Sequence, residues 1–103
     1  MITQKGITRE FNRVYGNLKE VFRRVYDKSY VDYHEMCASW FVNELKTLLE
    51  DENLRERLTN DQIGTIVFMG MNLSKTKLLD DEEKRCIRGL IKDLKDMQIS
   101  MIK

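Results

Sequence analysis

The sequence predicts an all-α fold, a compact bundle of four to five helices. Three observations predict it. Apolar residues recur at steps of three and four through nearly every segment, the spacing that gathers side chains on one face of a helix. Proline is absent, which long helices tolerate and many-turned β folds rarely show. With 42% apolar residues, 103 residues suffice for one core without disulfide or metal staples. Residues 1–103 therefore read as a single helical domain.

The first helix is expected from about Thr8 to Tyr26. Phe11, Val14, Tyr15, Leu18, Val21, Phe22, Val25 and Tyr26 form its apolar face, with Thr8 as N-cap. Arg9, Arg13, Asn17, Glu20 and Arg24 fall on the opposite side. Gly16 weakens this helix without ending it.

The second helix is expected from about Tyr30 to Glu50, capped by Ser29 or Asp32. Its stripe is Tyr33, Met36, Cys37, Trp40, Phe41, Leu45, Leu48 and Leu49, which makes Trp40 a core residue. The short link Asp27-Lys28-Ser29 makes these two helices antiparallel neighbours.

Asp51 to Leu58 supplies one or two further turns, with Leu54 and Leu58 facing inward. Thr59-Asn60-Asp61 reads as a turn and N-cap, and the next helix covers about Asp61 to Leu73. The last helix starts near Asp80 or Asp81, where Glu82 and Glu83 suit the positive end of the helix dipole. Its stripe is Cys86, Ile87, Leu90, Ile91, Leu94, Met97 and Met101. Ile99 falls off that stripe and reads as a small lid on the bundle, with a dimer contact as the alternative.

Charge narrows the partners less than the fold. The net charge is +1, so the overall balance points neither to nucleic acid nor to an anionic membrane. Residues 1–28 carry seven Lys/Arg against three Asp/Glu, residues 29–62 three against eight, and residues 63–103 eight against six. The basic first helix can pack beside the acidic middle, or it can present a basic docking face. No uncharged apolar run approaches the roughly 20 residues of a membrane span. Residues 1–6 lack the apolar core of a secretory signal, and position 2 is not the glycine that myristoylation requires. With two cysteines, Cys37 and Cys86, each in an apolar stripe, the expectation is a soluble cytoplasmic protein.

Catalytic and cofactor chemistry finds little to stand on. His34 is the only histidine, and with Cys37 it makes a His-x-x-Cys pair on one helix face. Zinc would need two more ligands, for which Cys86 and a carboxylate such as Asp32 or Glu35 are the candidates. The same pair read as nucleophile and base lacks an oxyanion loop and any catalytic signature. The expectation is no metal, no cofactor and no enzymatic activity. Gly64 and Gly70 enclose five residues and are followed by Met71, so they do not form a phosphate-binding loop.

Two stretches carry partner-binding hypotheses. The segment Arg23-Arg24-Val25-Tyr26-Asp27-Lys28-Ser29-Tyr30 mixes basic and aromatic residues, types enriched at protein interfaces and able to stack on single-stranded nucleic acid. Gln62 to Ser74 is uncharged across thirteen residues, with Ile63, Ile66, Val67, Phe68, Met69, Met71 and Leu73 surrounding the helix. Such a helix is expected to be the wrapped centre of the bundle, the alternative being exposure of one part for a partner. Residues 60–79 also admit a helix-turn-helix reading with Lys75, Thr76 and Lys77 on its second helix.

By elimination, the sequence points to a small non-enzymatic protein acting by protein–protein contact: a regulator, an inhibitor or an assembly subunit. Small helical inhibitors made by phages and plasmids, including anti-defence proteins, share this size and plan, an analogy of class alone. The candidate surface is Arg9, Arg13, Arg23, Arg24, Tyr26, Tyr30, Phe68, Met69 and Met71. The alternative is a nucleic-acid-binding regulator using the basic first helix or the Ser74–Lys77 segment. A homodimer is compatible with both.

Overall fold

The computed structural model describes residues 4–26, 34–77 and 79–102. Among them are five helices and no strand: α1 Gln4–Tyr26, α2 His34–Glu50, α3 Glu52–Arg55, α4 Asn60–Ser74 and α5 Asp81–Ile102. The all-α bundle expected from the periodicity is the architecture found.

α1 begins one turn before the expected N-cap. Thr8 is inside the helix, its hydroxyl donating to the Gln4 carbonyl at 3.0 Å. Ile7 explains the extension, because it adds a buried residue one turn ahead of Phe11, Val14, Leu18 and Val21. Arg57 fastens this end of α1 to the chain beyond α3, donating to Thr8 Oγ1 at 2.7 Å and to the side-chain oxygen of Gln4.

α2 packs along α1, antiparallel to it: Arg24 and Trp40 share one hollow, and Glu44 lies in the field of Arg13. Phe41, Val42, Leu45, Leu48 and Leu49 are its buried residues. Trp40 is not among them. It is 47% exposed, and its indole Nε1 donates to Glu44 Oε1 at 3.1 Å. At 3.6 residues per turn, Trp40 lies about 140° around the helix from Leu45, whereas Val42 lies within about 60°. The apolar stripe is therefore centred on Leu45, and its edge runs through Val42, leaving Trp40 outside. The caps expected at Ser29 or Asp32 and the link at residues 27–29 lie outside the described residues.

The next two helix starts are fixed by side chains of the expected type. Asp51 caps α3, accepting from the backbone of Asn53 and Leu54. Thr59 and Gln62 form a reciprocal box at the start of α4, each side chain bonding the other's backbone N–H. Asp80 and Glu83 do the same at the start of α5, at 2.7 and 3.2 Å. Glu83 also accepts a hydrogen bond from the Ser39 hydroxyl, which ties α5 to α2.

α4 and α5 form the second extensively packed pair. They run antiparallel, since Gly70 faces Ile91 and Ile87 while Gly64 faces Gln98. Their closest approach is at Gly70, where an added Cβ would stand 2.8 Å from Ile91 Cδ1. Leu54, Leu58, Leu79 and residues of all the longer helices join one buried cluster.

The expectation that α4 is the buried centre fails, and the alternative helix-turn-helix reading finds no support. α4 is not wrapped by the other helices: Ile63, Ile66, Met69, Gly70 and Leu73 are buried, but Phe68 and Met71 are exposed. No second helix follows Ser74 before α5 among the described residues, so the helix-turn-helix does not form. Instead the Ser74 and Thr76 hydroxyls donate back to the carbonyls of Met71 and Leu73, each at 2.8 Å, closing the end of α4.

Candidate docking surface

Because α4 carries no charge between Gln62 and Ser74, its burial is decided by its neighbours and not by a polar face. α5 and α1 cover one side of it. On the uncovered side Phe68 is 62% exposed and Met71 is 40% exposed. These two are three residues apart, which makes them neighbours on the helix surface. The Phe68 ring meets Phe22 of α1 edge-on, with centroids 6.2 Å apart, so it is steadied on one side and open on the other. Met69, a candidate for the same surface on sequence grounds, is buried at 3% exposure and belongs to the core. One step along a helix turns the side chain about 100°, which carries position 69 away from solvent.

Met71 also floors a groove of about 370 Å³ between α4 and α5. Lys75 lines it at the end of α4, and Arg88, Ile91, Lys92 and Lys95 line it from α5. The steps 88–92–95 put three cations on one side of α5. The Ile91 side chain packs over Gly70 beside this groove. None of the four cations forms an ion pair among the described residues, and no carboxylate lines the groove. Four cations without a carboxylate among them, beside exposed apolar side chains, give this surface a single sign of charge.

The arginines of α1 are differently placed. Arg9, Arg13, Arg23 and Arg24 are exposed, as their side of the helix implied. Three of them are already partnered within the helix. Arg13 grips Glu10 through Nε and Nη2, at 3.1 and 2.5 Å. Arg23 grips Glu20 at 3.2 and 2.8 Å, and Arg24 reaches the same carboxylate at 2.9 Å. Hydrogen bonds from Arg23 and then Arg24 hold the Glu20 carboxyl down to about 2. Hydrogen bonding to Arg13 lowers Glu10 and, in turn, raises Arg13. Two carboxylates therefore offset part of the charge of this face and tie three of its arginines into the helix, leaving it moderately basic. Tyr30 and the side chain of Tyr26, and with them the basic–aromatic corner, lie outside the described residues.

Trp40 was missed as a surface residue by sequence reasoning. It borders a small hollow of about 120 Å³ with Asn17, Val21 and Arg24. Arg88, Lys92 and Lys95 were also missed. Their spacing on α5 is visible in the sequence, but their alignment with Met71 and Lys75 depends on the register of α4 against α5. Ile99, expected as a lid, is 56% exposed and covers nothing.

The side chains of His34 and Cys37 lie outside the described residues, so their pairing stays an expectation. Cys86 is half-buried between α2 and α5. Among the described residues no three His, Cys, Asp or Glu side chains gather in a metal-binding group. A hollow of about 640 Å³, bordered by Leu49, Arg55, Asp93, Asp96, Met97 and Ser100, is open to solvent. Among the described residues no helix is long and apolar enough to cross a membrane. Comparison with protein-family models, with curated proteins and with solved structures gives no match.

Proposed function

We propose that this protein acts without catalysis, by docking on another protein through the exposed side of α4 and the adjoining α4–α5 groove. The observation that carries the reading is the pairing of exposed Phe68 and Met71 with four cations that have no ion pair among the described residues, on the packed α4–α5 pair. Aromatic residues, methionine and arginine are the types enriched in protein interfaces, and an exposed apolar patch rimmed by polar groups is the usual form of one. Such a protein is a regulator, an inhibitor or an assembly subunit of a cytoplasmic machine.

Photo-crosslinking tests this. Benzoylphenylalanine at position 68 should yield a protein adduct in cells that make the chain, and nuclease treatment should leave that adduct intact. The same group at position 40 should yield little. Crosslinking at position 40 alone would move the docking surface to α1 and α2.

The second reading is nucleic-acid binding, favoured by the same four cations rather than by α1. It requires affinity that falls steeply with salt for any sequence, because phosphate contacts release counterions. A nuclease-sensitive adduct at position 68 would establish it in place of the protein reading.

A further inference from the structure

Given a protein partner on this face, we infer that the α4–α5 groove seats an acidic amphipathic helix of that partner. The inference rests on the docking reading above and specifies the occupant.

Charge selects the partner's sign. Lys75, Arg88, Lys92 and Lys95 line the groove with no carboxylate among them, and none is ion-paired among the described residues. A second copy of this chain is a poor occupant, because a two-fold contact would set these cations against their own mates. The partner must bring carboxylates.

Apolar contact narrows it further. Met71 on the groove floor and Phe68 one turn away are exposed by 40% and 62%. A duplex backbone would satisfy the cations and leave these side chains uncovered; a single strand, whose bases can stack on Phe68, is the competitor that the oligonucleotide in the test below addresses. The track is also short. Arg88 to Lys95 spans about 10 Å at 1.5 Å per residue. Asp81, Glu82 and Glu83 stand further back on the same helix, and Asp96, one turn past Lys92, borders the cation row, so a longer polyanion would meet carboxylates at both ends. A peptide with carboxylates on one edge and leucine-like residues on the next fits both kinds of contact.

Spacing favours a helix over a strand. Carboxylates at i, i+4 and i+7 of a partner helix repeat the spacing of Arg88, Lys92 and Lys95 on the same rise of about 10 Å. In a strand, three residues on one face span about 13–14 Å and run past the cation row. A helix laid along the α4–α5 seam also adds a third rod to an existing pair, the geometry of ordinary bundle packing.

The test uses the full chain and a fluorescent helix-forming peptide of about 14 residues, four turns, with glutamates at i, i+4 and i+7 and leucines on the adjoining edge. Saturable anisotropy, weakening as salt rises, is expected. Lys92→Glu with Lys95→Glu should raise Kd at least about tenfold. A peptide with lysines replacing the glutamates should bind that variant and not the parent. Both substitutions are at exposed positions, and circular dichroism will show that the variant remains helical. Met71→Ser should weaken the acidic peptide without changing its salt dependence. The inference is overturned by no saturable binding up to about 1 mM, by binding indifferent to the charge reversal, or by preference for a single-stranded oligonucleotide or anionic vesicles. A protein adduct at position 68 combined with failure of the peptide would sink this inference and leave the docking reading standing.

Discussion

Glycine occupies two kinds of place in this bundle, and the same added methyl group should act oppositely in them. Gly16 and Gly89 sit inside α1 and α5 with no atom within 4 Å of a new Cβ. Alanine at either position should stabilise the protein by about 0.5–1 kcal/mol, because it restricts the unfolded chain and favours helix. At Gly70 the new Cβ would meet Ile91 Cδ1 at 2.8 Å and Cγ1 at 3.1 Å. Ile91 is itself buried and cannot swing freely, so overpacking of about 1–3 kcal/mol should exceed the propensity gain. Denaturant midpoints should therefore rise for Gly16→Ala and Gly89→Ala and fall for Gly70→Ala, with part of the loss recovered by Ile91→Val. Equal stabilisation at all three would mean that α4 and α5 do not approach closely. Trp40 and Phe41 make a similar contrast between adjacent residues. Phe41 is fully buried, so Phe41→Ala should cost about 3–5 kcal/mol. Trp40→Ala should cost far less, and emission from this single tryptophan should be readily quenched by a soluble quencher. Emission shielded from quencher would restore Trp40 to the core.

At the scale of elements, α1 shows why charge in a sequence is a poor guide to charge on a surface. Its four arginines are exposed, yet three of them are paired one turn away with Glu10 and Glu20, two carboxylates that offset part of their charge. The pairs are solvated and screened, so they say more about local potential than about stability. Their sign can be tested by titration. Glu20 is held down to about 2, so whatever its pairs contribute is complete above the ordinary 4.5 and fades as pH falls from there through about 2. In the Arg23→Gln, Arg24→Gln variant the Glu20 carboxyl should titrate near its ordinary value by carbon-detected nuclear magnetic resonance. A titration unchanged from the parent would show that the pairs do not form. Legibility also divides by element. α3, α4 and α5 start where Asp51, Thr59 and Asp80 stand, because an N-cap is local chemistry and needs no tertiary context. Trp40 was misread because it sits at the edge of an apolar stripe, where a rotation of one residue exchanges inside for outside. α4 was misread for the converse reason. A helix without charge carries no polar edge to orient it, so only its packing on α5 and α1 selects Phe68 and Met71 for exposure. The groove was hidden because two elements build it, and spacing within either one does not reveal the other.

For the whole molecule, the question is whether two helical pairs behave as one unit. α1 packs mainly on α2, and α4 mainly on α5, with thinner contact of α2 on α5 and of α1 on α4. Yet the buried residues form one cluster running through both pairs, and a polar tie crosses between them, Ser39 to Glu83, while Arg57 in the link from α3 to α4 holds Gln4 and Thr8 of α1. A continuous core makes each pair's apolar face the other's cover. Neither pair can separate without exposing residues such as Leu45, Ile66 and Leu94, all fully buried. Unfolding should then be cooperative, as small single cores usually are. Ile66→Ala, made on α4, provides the test. It should cost about 2–5 kcal/mol, a large part of a typical total of about 5–15. Under native-state hydrogen exchange, the slowest amides of α1 and α2 should lose as much protection as those of α4 and α5, although Ile66 belongs to the second pair. Loss confined to α4 and α5 would show that the pairs open separately. The docking platform would then be a mobile flap on α1 and α2, and the cation spacing that selects a helical partner would no longer be held fixed before binding.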